Sequence, residues 1–104
     1  MIYIKMHLSE NGTLIAMCDE SLLGKVLAGG DIEMDLKTYS EFYKGDLVGK
    51  EDAKKEIERV DDIYSVNVVG KESIEVAIEE KLIQKNNVKK VQKVPYAHAY
   101  NVNI

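Results

Sequence analysis

The chain of 104 residues has one cysteine, Cys18, and two histidines, His7 and His98. A single thiol excludes an intrachain disulfide, and three Cys and His side chains fall short of the four ligands of a structural zinc site. No apolar stretch approaches the roughly 18 residues of a spanning helix, so no membrane is expected. The amino terminus, Met1-Ile2-Tyr3-Ile4-Lys5-Met6, lacks a basic n-region, a long apolar h-region and a small-residue cleavage site, which makes cytoplasm the expected location. Phosphate loops are missing too. Gly24-Lys25, Gly49-Lys50 and Gly70-Lys71 are not followed by Ser or Thr, and none has Gly five residues earlier. Asp31-Ile32-Glu33-Met34-Asp35 copies the spacing of calcium-loop carboxylates, but Leu36 stands where that loop needs Gly and Phe42 where it needs Glu. No metal and no cofactor are expected.

Acidic residues are absent after Glu80, whereas Lys81, Lys85, Lys89, Lys90 and Lys93 follow it. Through Asp62 there are eight basic against fourteen acidic residues, net −6; from Ile63 on there are six against four, net +2, together the −4 of the whole chain. A basic tail is where a polyanion would sit, although an acidic pI near 5.2 argues against broad nonspecific nucleic-acid binding. With 45% apolar and 31% charged residues the composition is that of an ordinary folded domain, and the length suits one, spanning 1–104.

Ile2, Ile4, Met6 and Leu8 alternate with Tyr3, Lys5 and His7, a strand with one buried face. The turn Ser9-Glu10-Asn11-Gly12 and the apolar run Thr13 to Cys18 complete a hairpin. Asp19 is placed to cap a short helix carrying Leu22, Leu23, Val26 and Leu27, stopped by Gly29-Gly30. Asp31 to Leu36 alternates strictly, putting three carboxylates on one face of a strand. Tyr39 to Val48 reads as an ordered loop or a turn with a short strand. Glu51 to Asp61 is helical, with Ala53, Ile57 and Val60 on one face, and Ile63 to Val69 is a β-branched strand. A second amphipathic helix carries Ile74, Ala77, Ile78 and Leu82 and is broken by Asn86-Asn87. Val88 to Val94 and Tyr96 to Ile104 read as closing strands separated by Pro95. The expectation is an α+β domain: a mixed sheet of about six strands, opened by the hairpin and covered by about three helices.

Four segments carry a resemblance. They are Cys18-Asp19-Glu20-Ser21-Leu22-Leu23-Gly24-Lys25; Glu41-Phe42-Tyr43-Lys44-Gly45-Asp46-Leu47; Asn67-Val68-Val69-Gly70-Lys71-Glu72-Ser73-Ile74-Glu75-Val76-Ala77; and Val94-Pro95-Tyr96-Ala97-His98. In this order they resemble an archaeal family of small proteins known as domain of unknown function family 424. The resemblance implies an archaeal cytoplasmic protein and RNA binding connected with translation, and it supplies no reaction or catalytic residue. In the last segment Tyr96 and His98 stand where the family more often has His and Gln.

Two binding readings follow. Tyr43 would stack on an unpaired base with Lys44 on the backbone, while Lys71, Lys89, Lys90 and Lys93 neutralise phosphates of tRNA or rRNA. The competing reading makes Phe42 and Tyr43 anchors of their loop and the lysines a solvated surface. Lys89 and Lys93 alternate together on a strand and Lys90 opposes them. Gly70 before a helix offers backbone N–H groups to a phosphate beside Lys71, or simply reverses the chain. In the alternative function, Asp31, Glu33 and Asp35 face a basic partner such as a ribosomal protein in a protein–protein adaptor. An enzymatic reading would gather Cys18, Asp19 and His98 around a small cleft. Against it, Cys18 reads as a buried residue at a strand end, and His98, sharing a face with Tyr96, Tyr100, Val102 and Ile104, as a packed histidine.

Overall fold

Alternation in the first nineteen residues builds the hairpin: β1 (Ile2–Ser9) pairs antiparallel with β2 (Gly12–Asp19) in the register Ile2 with Asp19 through Ser9 with Gly12. The computed structural model describes residues 1–100, so the expected strand positions Val102 and Ile104 lie outside the described residues. The expected helix after Asp19 does not form. One 3-10 turn at Glu20–Leu22 is followed by Leu23 in an extended conformation and Gly24 at φ +95°, and Val26–Gly29 becomes strand β3. β3 pairs with β4 (Ile32–Asp35) in a two-stranded sheet of their own, so the acidic strand stands outside the main sheet.

The main sheet has six strands in the order β5-β1-β2-β6-β8-β7. β5 (Asp46–Val48) follows a 3-10 turn at Ser40–Phe42 and pairs antiparallel with β1. Helix α1 (Lys50–Glu58) leads to β6 (Ile63–Val69), which joins β2 in parallel and so makes the sheet mixed. Helix α2 (Lys71–Glu79) ends earlier than Asn86-Asn87. Lys81 takes φ +61° and Leu82 N–H donates to Ala77 O at 2.9 Å, a left-handed helix stop.

β7 (Lys89–Val91) and β8 (Val94–Tyr100) form a hairpin whose turn is Gln92-Lys93, both at positive φ; Pro95 lies inside β8 and does not separate the strands. Pro95, the second residue of β8, still takes part in the sheet through its carbonyl, which accepts Gly70 N–H at 2.8 Å, a bond that needs no N–H from proline.

Among the described residues two α-helices, against about three expected, cover one face of the sheet. Ile2, Ile4, Ile15, Met17, Val66, Val68 and Ala97 point there, against Ala53 and Ile57 of α1 and Ile74, Val76 and Ala77 of α2. The alternate residues Ala16, Cys18, Val69 and Val91 form a second core with Leu27, Leu36 and Tyr43 from the β3–β4 layer and the loop after it. No helix among the described residues is long and apolar enough to cross a membrane.

Candidate functional site

The β3–β4 layer covers only part of the second face. Register places Tyr3, Cys18, Val69 and Tyr96 in one row across the sheet, and Lys5, Ala16, Asn67 and His98 in the next. The first row is sealed at its centre, since Cys18 and Val69 are buried completely. Over the second row lies a cleft of about 540 Å³, whose lining includes Asn67 and His98 from the sheet. Glu33, Met34, Asp35 and Leu36 bound it from β4 and its end, and Tyr39, Phe42 and Tyr43 from the loop that follows. A mostly apolar hollow with a few convergent polar groups is the form a binding site takes.

Local hydrogen bonds fix this lining. Tyr43 is only 6% exposed; its hydroxyl donates to Asn67 Oδ1 at 2.9 Å, and burial pushes its pKa up, with nearby Cys18 adding to the rise. With Oδ1 accepting from Tyr43, the amide N–H groups are the donors that Asn67 has left to offer. Phe42 stacks on His7 with ring centroids 4.6 Å apart, while His7 Nε2 lies 2.8 Å from Phe42 O. Asp35 Oδ1 accepts from Lys37 N at 3.1 Å and Thr38 N at 2.8 Å, and these bonds, those from Thr38 above all, hold its carboxyl below the usual range. It therefore stays charged at neutral pH. Both charged residues of the lining are carboxylates, Glu33 and Asp35, and no lysine or arginine joins them.

Tyr43 does not present a face for stacking a base. The loop-anchor reading describes both Phe42 and Tyr43, and the exposed ring in this segment is Tyr39. Lys44 is exposed on the approach to β5, whereas Lys89 and Lys90 sit on β7, at the opposite edge of the sheet. Five interstrand steps of about 4.8 Å separate those edges, roughly 24 Å. Lys89 shares its strand face with buried Val91, and Lys90 takes the other. The backbone brings the segments carrying Lys71, Lys90 and Lys93 to one corner of the sheet. Gly70 bonds to Pro95, Pro95 pairs with Lys90, and Lys93 is in the adjoining turn.

The backbone N–H groups at the start of α2 are not available to a phosphate, because Asp19 occupies them. Glu72 N and Ser73 N donate to its carboxylate at 3.1 and 2.9 Å, and the Ser73 hydroxyl donates at 2.8 Å. Asp19 is thus a cap, but of the helix that begins beyond Gly70. The Cys18, Asp19 and His98 constellation is not assembled: the thiol is sealed, burial and the Asp19 charge push it up to about 12, and the carboxylate is bound to α2. His98 is exposed and lines the cleft, correcting the expectation of a packed histidine; its ring is edge-on to Tyr100 at 6.4 Å. Sequence reasoning missed Asn67, for which a lone amide inside Ile63–Val69 was the available signal. Replacing Tyr43 with Phe should cost about 1 kcal/mol, since it strips Asn67 Oδ1 of its donor; urea denaturation of the two proteins measures it.

The chain is thus an α+β protein with helices on one face of a mixed sheet and, on the other, a cleft bordered by aromatic and acidic residues. The model of the family described as "Protein of unknown function (DUF424)" matches residues 6–102, and the chain belongs to that family. A solved structure, described as an uncharacterized conserved protein from Methanopyrus kandleri, superimposes with a TM-score of 0.80 at 23% identity, covering 96% of this chain and 90% of the other. At that identity the likeness shows the fold. No curated protein matches the chain.

Proposed function

We propose that the chain is a non-enzymatic binding protein, an adaptor whose acidic strand and adjoining cleft hold a basic protein partner. The observation that carries this reading is the charge along the cleft's border: Glu33 and Asp35 are among its bordering residues while no lysine or arginine is, Asp31 is exposed beside them, and of the lysines Lys37 is near enough to Asp35 to act on its charge. Such a surface repels a polyanion and attracts Lys- or Arg-rich segments, raising on-rate and selectivity together. The connection with translation that the resemblance implies would make a ribosomal protein the kind of partner expected. The test is fluorescence anisotropy with a labelled basic peptide, on the protein and on the variant Asp31→Asn, Glu33→Gln, Asp35→Asn. Asn at 35 keeps an acceptor for the turn. Loss of about tenfold or more in affinity supports the reading, and unchanged affinity excludes this face.

The RNA reading keeps one supporting observation, the corner shared by the segments of Lys71, Lys90 and Lys93. Three phosphate contacts there would give a slope of log affinity against log salt near −2 for a single strand, taking about −0.7 per phosphate. Lys90→Glu should reverse the binding; an unchanged salt titration would remove the corner from consideration.

A further inference from the structure

Among the described residues β4 has a strand partner on one side only. It pairs with β3, and Leu36 continues the ladder, its N–H donating to Lys25 O and its carbonyl accepting from Gly24 N–H, both at 2.8 Å. Main-chain groups of an antiparallel strand point alternately to the two sides, so Met34 and Ile32 face β3 like Leu36. Glu33 and Asp35 therefore turn their N–H and C=O away from β3, toward the side where residues 33–36 border the cleft. The side chains divide the other way. Met34 and Leu36 pack toward the second core, and Glu33 and Asp35 take the opposite face.

We propose that this open edge accepts an extended peptide as a third strand, one that alternates Lys or Arg with apolar or aromatic residues. The proposal rests on the basic-partner reading above and adds the mode of binding and the chemistry of the segment. Added beside β4, the peptide completes the hydrogen bonds of Glu33 and Asp35. Its residues on the core-facing side enter the cleft against Phe42, Tyr43 and His98, and those on the other side meet the two carboxylates. A second copy pairing β4 with β4 is disfavoured, because like charges would then stand across the new ladder. The basic side chains of the incoming strand convert the same charges to attraction.

The test is amide hydrogen exchange and NMR titration of the protein with an acetylated, amidated Lys-Phe-Lys-Val-Lys-Val-Lys peptide. Controls are the same peptide N-methylated at alternate residues, a peptide of equal composition with its lysines in one block, and a single-stranded RNA. Protection of the Glu33 and Asp35 amides by about tenfold or more, lost with the N-methylated peptide, is the result expected. Glu33→Gln with Asp35→Asn should weaken binding while leaving the fold intact, since both side chains lie outside the core. If the N-methylated or block peptide binds equally, strand addition is overturned although a basic partner remains. If RNA shifts the same amides and the peptides do not, both readings fail. Protection that rises with protein concentration alone would give the edge to a second copy and overturn the proposal.

Discussion

Gly70→Ala is expected to destabilise the protein by roughly 2–4 kcal/mol. Two causes act together. Gly70 stands at φ +108° and ψ 155°, a region essentially closed to residues with a Cβ. The added carbon would also overlap Asp19 Cγ, and the Asp19 side chain cannot swing aside without releasing Glu72 and Ser73. Losing a cap of this kind costs about 1–2 kcal/mol by itself. A double-mutant cycle separates the causes: Asp19→Ala removes the cap and the carboxyl group in the way, leaving only the Asp19 Cβ 2.7 Å from the added carbon, so Gly70→Ala in that background should cost its backbone strain and that one remaining contact. The sum of the single effects should exceed the double by about 1 kcal/mol or more. Additive behaviour in urea denaturation would mean that the two residues do not share one locked arrangement.

Asp19 also shows what could be read from residues alone. Its type marks it as a cap, and that was legible; the helix it serves begins more than fifty residues later, which no local window can contain. The spacing of Leu22, Leu23, Val26 and Leu27 suited a helix equally well as a turn and a strand, and Gly24 at positive φ decided for the latter. β1, β2, β6 and α1 were read close to their bounds because each alternates or repeats against one large core. The acidic strand was read correctly as a strand. Its isolation from the main sheet depends on pairing with β3, whose residues carry a helix-like spacing. The same spacing conceals the cleft, whose wall is that two-stranded layer. The face shared by Tyr96, His98 and Tyr100 was legible from parity, but whether a second layer covered His98 was not. That the segments of Lys71 and Lys90 are neighbours likewise depends on the partnership of β6 and β8.

Raising the pH above about 9 should remove stability through Cys18. Its thiol is completely buried and is pushed up to about 12 from an ordinary value of 9.0, first by burial and then by the charge of Asp19. Between those limits the unfolded chain releases the proton and the folded chain keeps it, so folding binds a proton and loses favour as pH rises. The contribution is whole below pH 9 and declines toward pH 12, at up to roughly 1.4 kcal/mol per pH unit. Tyr43, also raised by burial, and Lys54, raised by its pairing with Glu79 and Glu51, act in the same direction and steepen the fall. Cys18→Ala isolates the thiol. It opens a small cavity and lowers stability at pH 7, yet its stability should fall less steeply between pH 9 and 11 than that of the parent. Urea midpoints at half-unit steps measure the two slopes, and iodoacetamide supplies an independent check, since the folded parent should resist alkylation at pH 8.5 until denaturant is added. Parallel slopes together with rapid labelling would place the thiol in contact with solvent, a result incompatible with the second core as packed.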